Sequence, residues 1–148
     1  MGNPAHNTHL IKTEAKRLGF MSCGIAIATQ LDDDARRLET WLNKGHQAGM
    51  GYMERNFDLR IDPRKLVPGA RSVITLLLNY YPLANQNQDA PKIAKYAYGT
   101  DYHFVIRDKL NELLHFIKLN IGDVDGRGFV DSAPVLERSW AGINASGT

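Results

Sequence analysis

Two short, unbroken apolar runs, FMSCGIAIA at residues 20–28 and VITLLL at 73–78, constrain the fold of this chain most. The first is bounded by Gly19 and the polar TQLDDD, and the second lies between Pro68-Gly69 and Pro82. Runs of this length, closed by turn residues, read as buried strands. Neither is long enough to cross a membrane.

Around them lie stretches with helical spacing. NTHLIKTEAKRL (7–18) places Leu10, Ile11, Ala15 and Leu18 on one stripe, with Asn7 or Thr8 to cap it and Gly19 to end it. Asp32, Asp33 and Asp34 supply an N-cap and an acidic first turn for ARRLETWLNKG, closed by Gly45. That role explains the acidic triplet without a metal. YHFVIRDKLNELLHFIKLN repeats Val105/Ile106, Leu110, Leu113/Leu114 and Ile117, with Thr100 or Asp101 as its cap. KIAKYAYG (92–99) and GFVDSAPV (128–135) read as further strands, and Pro134 suits the first position of a helix. Residues 45–69 are irregular and glycine-rich, but no Gly-Lys-Ser/Thr ending follows to make a phosphate loop.

This order predicts a mixed α/β (α+β) fold: one sheet of about four or five strands covered by helices. At 148 residues the chain is expected to form a single domain, residues 1–148. A net charge of +2 permits a polyanionic partner without arguing for one. The N-terminus lacks the layout of a secretion signal, and the expectation is a cytoplasmic protein away from membranes. The single cysteine, Cys23, excludes an internal disulfide and any all-cysteine cluster within the chain.

Three clusters can carry chemistry. Arg55, Arg60, Arg64 and Lys65 sit in the irregular segment, where arginines suit an anionic ligand and solvated charge is the plain alternative. Tyr96, Tyr98, Asp101, Tyr102 and His103 gather before and at a helix N-terminus, which favours anions. No second histidine near His103 gives zinc-ligand spacing. Asp131 follows Phe129 and Val130 at an expected strand end. A carboxylate held against apolar neighbours there has its charged form disfavoured, which suits a general acid, with small Ser132 and Ala133 leaving room beside it. On the residues alone, helix capping by Asp131 or Ser132 is the simpler reading.

RIDPRKLVPGARSVITLLLNYYP, KYAYGTDYHFVIRDKLNELL and GFVDSAPVLER together resemble the N-terminal region of epoxyqueuosine reductases. The GTDYH and DSAPVLER blocks are the specific part. The resemblance covers roughly residues 50–141, and GFMSCGIAIA and GYMER extend it more weakly to most of the chain. It implies a cobalamin-dependent oxidoreductase that reduces epoxyqueuosine to queuosine in the anticodon region of tRNA. Two 4Fe–4S clusters pass electrons to cobalamin in that family, and the aspartate opening DSAPVLER, here Asp131, is the implied proton donor. Arg60, Tyr96, Asp101, Tyr102 and His103 match the family blocks, and Arg60, Tyr96, Tyr102 and His103 stand beside Asp131 as the cofactor-binding candidates. The family pattern continues into a cysteine-rich, ferredoxin-like domain, whereas SWAGINASGT departs from it. The resemblance therefore implies an N-terminal portion, inactive alone, whose partners are tRNA, the missing iron–sulfur domain, and a second copy docking through exposed apolar surface. The rival readings are another corrinoid reductase, related to the reductive dehalogenases, and a non-catalytic RNA- or protein-binding module.

Overall fold

A computed structural model describes residues 2–79, 87–94, 99–131 and 133–146. The two apolar runs become strands β1 (Ser22–Ile27) and β2 (Ser72–Leu77), which pair as a two-stranded sheet. The pairing is antiparallel: Met21 N–H reaches Leu77 O at 2.7 Å and Ala28 N–H reaches Arg71 O at 2.9 Å. The mixed α/β class holds, but four or five strands do not: among the described residues only two strands form. Residues 128–131 and 133–135 run as irregular chain where the strand at 128–135 was expected, and 91–94 are not strand either. The rest of that expected strand, including Tyr96 and Tyr98, lies outside the described residues.

The chain divides into two compact units, residues 1–23 with 76–131 and residues 24–75 with 132–148. In the first, helix α1 (Pro4–Arg17) packs on helix α5 (Tyr102–Asn120), and Ile11, Ala15, Leu18, Phe20, Leu113 and Ile117 are buried. Helix α1 starts a turn earlier than the apolar stripe suggested. Asn3 caps it through Ala5 N–H, and Pro4 at its head needs no N–H partner. At its other end the Lys109 ammonium donates to the Leu18 carbonyl, putting a cation where the helix dipole is negative. Glu14 is buried on α1 and tolerates burial because Arg17 holds it at 2.6 Å; this hydrogen-bonded pairing keeps its carboxyl below the usual range.

After α5 the chain turns back along the same helix. A Cβ on Gly126 would stand 2.9 Å from Leu114 Cδ1, and one on Gly128 would stand 3.1 Å from Leu110 Cβ. Glycine at these positions is what lets the backbone lie against the helix. The return runs opposite to α5 and delivers residue 131 beside residues 102 and 103.

The second unit holds α2 (Asp32–Asn43), a 3₁₀ turn (Gly51–Met53), α3 (Phe57–Ile61), α4 (Pro63–Leu66) and α6 (Glu137–Ser146). Leu31, Leu38, Ile61 and Trp140 are buried. Leu31 N–H bonds to the Ile61 carbonyl at 2.7 Å. The acidic triplet makes the first turn of α2, as expected, but does not cap it: Leu31 occupies the cap, with no side-chain bond. Asp33 and Asp34 instead pair with Arg36 and Arg37 one turn on. Helix α6 begins at Glu137, so Pro134 precedes it by three residues and does not open it. In α6, Asn144 donates to Thr75 Oγ1 of β2 at 2.6 Å, while its Oδ1 is buried without a hydrogen-bond partner.

Strand β1 accepts α6 only because residue 24 has no side chain: a Cβ there would lie 2.2 Å from Asn144 Cβ and 3.3 Å from its Cα. Gly24→Ala is expected to destabilise the protein by about 1–3 kcal/mol, the usual cost of forcing a methyl into a packed contact. Urea denaturation measures it. An unchanged midpoint would show that α6 is not packed on the strand.

Candidate active site

Asp101 sits immediately before α5 and caps it, accepting from His103 N–H through Oδ1 at 2.9 Å. The same oxygen lies 2.8 Å from His103 Nδ1. The backbone N–H and the imidazole together hold the Asp101 carboxyl below the ordinary carboxylate range. Capping therefore does two jobs: it satisfies a free N–H of the first turn and fixes the ring of the residue two positions on.

Asp131 closes the arrangement from the returning segment. Its Oδ2 lies 3.2 Å from His103 Nε2 and accepts a hydrogen bond from the Tyr102 hydroxyl. The Tyr102 and His103 rings are stacked, with centroids 4.0 Å apart and planes inclined by 29°. Asp131 adopts φ 55°, the left-handed region, which a non-glycine residue occupies at a cost and in which Asp is among the better tolerated. Strained conformations of this sort persist where surrounding contacts over-determine them, and they concentrate at functional sites.

The structure thus brings Asp101, Tyr102, His103 and Asp131 into one contact chain. It corrects the expected surroundings of Asp131. The residue ends no strand, and its side chain is 50% exposed rather than held against apolar neighbours. Arg60 lies in the other unit, with its guanidinium donating to the carbonyls of Tyr52 and Arg55 at 3.1 and 3.4 Å and standing 6.0 Å from the Tyr52 ring centre. Arg60 therefore has a structural use in pinning the 52–55 turn, and Arg64 likewise pairs with buried Asp62 at 2.9 Å. Tyr96 and Ser132 lie outside the described residues. Cys23 is half buried, and burial pushes its thiol up, away from the thiolate form that metals need. Asp101 was grouped with Tyr102 and His103 in the sequence, with capping as its plain alternative, and the structure gives it both roles. The signal was present in Asp-Tyr-His, since a capping carboxylate reaches the residue two positions on.

Comparison with known proteins gives a consistent result. The family described as "Epoxyqueuosine reductase QueG, DUF1730" matches residues 60–132, a span that contains Asp101, Tyr102, His103 and Asp131. An epoxyqueuosine reductase of Cyclobacterium marinum is 58% identical over 137 residues, covering 91% of this chain and 44% of that protein. Another, of Cellulophaga algicola, is 53% identical over 147 residues, covering 99% of this chain and 48% of that one. A crystal structure of an epoxyqueuosine reductase with a tRNA-Tyr epoxyqueuosine-modified stem loop matches with a TM-score of 0.79 at 26% identity, over 94% of this chain and 38% of that chain. The chain spans less than half the length of these curated relatives.

The charge on Asp101 gives this site a stability signature. Folding lowers its pKa, so its contribution is fully present above the unfolded value, about pH 4, and is lost as pH falls through the lower folded value. Asp101→Ala is expected to lower Tm at neutral pH, with the gap to the parent narrowing below about pH 4. Thermal melts by circular dichroism across pH check this; a gap that does not change with pH would show that the ionised carboxylate contributes nothing.

Proposed function

Since the chain belongs to the epoxyqueuosine reductase family, we propose that it forms the substrate-protonating half of such an enzyme, with Asp131 giving a proton to the epoxide oxygen of epoxyqueuosine in tRNA. The observation that carries this reading is the contact of one Asp131 oxygen with both His103 Nε2 and the Tyr102 hydroxyl. Opening an epoxide to an alkene consumes two electrons and two protons and releases the oxygen as water. An oxygen leaving carbon needs an acid within hydrogen-bond reach, and an exposed carboxyl braced by two neighbours is placed to approach a bound nucleotide. The substrate class follows from the relatives, one of which was crystallised with a modified tRNA stem loop.

Electrons come from elsewhere in this proposal. One cysteine cannot ligate a 4Fe–4S cluster, so the two clusters that the family resemblance implies are assigned outside this chain. Cobalamin, the electron carrier implied by the family resemblance, is assigned to the whole enzyme. The His103 and Asp131 side chains are 38% and 50% exposed, so this part of the site faces solvent. Two open depressions lie in the other unit, one lined by Asp34, Arg37 and Arg138 and one by Trp41 and Lys44. No step is therefore derived through the cofactor; the chemistry assigned to this chain is proton delivery.

Two outcomes are expected. The 148-residue chain alone forms no queuosine on epoxyqueuosine-containing tRNA supplied with cobalamin and a chemical reductant. Turnover at the rate of an intact relative would overturn the assignment of the electron path to the missing half. In the whole enzyme, Asp131→Asn keeps a residue that tolerates left-handed backbone but cannot release a carboxylic proton. Queuosine formation is expected to slow by roughly 10²–10⁴-fold with little change in folding stability. Near-parent turnover would move the donor elsewhere, with Tyr102 and His103 next to test.

A further inference from the structure

Two carboxylates flank one imidazole at this site, and the hydrogen bonds between them fix where a proton must lie. Asp101 accepts from the His103 backbone N–H and its carboxyl lies below the ordinary carboxylate range, so at neutral pH it is an acceptor. The tautomer with a hydrogen on His103 Nδ1, 2.8 Å away, is the one that pairs with it. Nε2 then faces Asp131 Oδ2 at 3.2 Å. A bare ring nitrogen against a bare carboxylate would set two acceptors together. One proton removes the conflict in either of two ways, as imidazolium with carboxylate or as imidazole with carboxylic acid.

We propose that His103, oriented by Asp101, is the positioning residue that keeps this proton beside Asp131 and replaces it after each donation. This rests on Asp131 being the donor. When the Asp131 O–H bond breaks toward the epoxide oxygen, a carboxylate and a neutral imidazole remain. The ring, 38% exposed, takes a proton from water at Nε2. Passing it on breaks the Nε2–H bond as the Oδ2–H bond forms, and Nδ1–H stays on Asp101 throughout. One proton moves from solvent to Asp131, and no electrons move. Tyr102 donates to the same Oδ2 and stacks on the ring, so it holds both partners of the transfer in register. Among the described residues, Asp101, Tyr102 and Asp131 are titratable groups in contact with the imidazole.

The test compares His103→Ala, His103→Gln and Asp131→Asn in the whole enzyme, with added imidazole. His103→Ala is expected to lower steady-state turnover by about tenfold or more, and free imidazole to restore much of it. His103→Gln fills the same space with a group that relays no proton, so it is expected to stay slow and to ignore imidazole. If His103→Gln turns over like the parent, or imidazole does nothing for His103→Ala, the ring is only a spacer and the relay is overturned. Asp131→Asn separates the two readings. Lost turnover in Asp131→Asn with normal turnover in His103→Ala defeats the relay alone, whereas normal turnover in Asp131→Asn defeats the donor and the relay with it. A measurement without variants stands beside these: nitrogen NMR of the histidine-labelled chain is expected to show His103 Nδ1 protonated at neutral pH. An unprotonated Nδ1 would overturn the proposal.

Discussion

The close passage of residues 126–128 over α5 is the contact on which the rest of the site depends. A helix N-terminus can hold a capping aspartate and the histidine two residues on through local chemistry alone. Asp131 is 28 residues downstream of His103, and only the return of the chain along the helix brings it within reach. Gly126 and Gly128 permit that return by letting backbone lie where any Cβ would meet Leu114 or Leu110. Leu113 and Ile117, buried against α1 from the same helix, give the returning segment a fixed surface to follow.

Seen this way, the cluster separates local from long-range tasks. Asp101 works within one helical turn and costs little entropy to position. Asp131 comes from a loop and is held by polar contacts rather than burial, which leaves its side chain half exposed. A buried acid would be easier to keep protonated, but the proposed function needs one that a nucleotide on an RNA can reach. An exposed acid beside an imidazole keeps a proton nearby without being buried.

The parts of this fold legible in the sequence were those fixed by local pattern. β1, β2, α5 and most of α1 follow from short apolar runs and helical spacing, and Asp101 as cap follows from its position before Tyr102. The tyrosine–histidine–aspartate grouping was legible as candidate residues but not as one contact, because no sequence period reports a loop folding back over a helix. The expected strand at 128–135 failed for a related reason. Phe129-Val130 has strand-like apolarity, but glycines packed on α5 and left-handed backbone at Asp131 leave no extended partner-ready segment. Helix α6 was expected to open at Pro134 but begins at Glu137; ERSWAGINAS carries two of the poorer helix formers, Gly142 and Asn144, and contacts such as Asn144 with Thr75 support it.

The left-handed backbone at Asp131 also narrows the residues that can stand there. Glycine, asparagine and aspartate occupy that conformation most cheaply, while a longer or branched side chain adds roughly 1–2 kcal/mol of steric strain. Of those three only aspartate carries an ionisable proton. Glutamate, the usual conservative exchange, pays the backbone penalty and carries its carboxyl one methylene too far to keep the distances to Tyr102 and His103. If the position serves the proposed acid role, backbone geometry and acid chemistry together leave it a vocabulary of one residue.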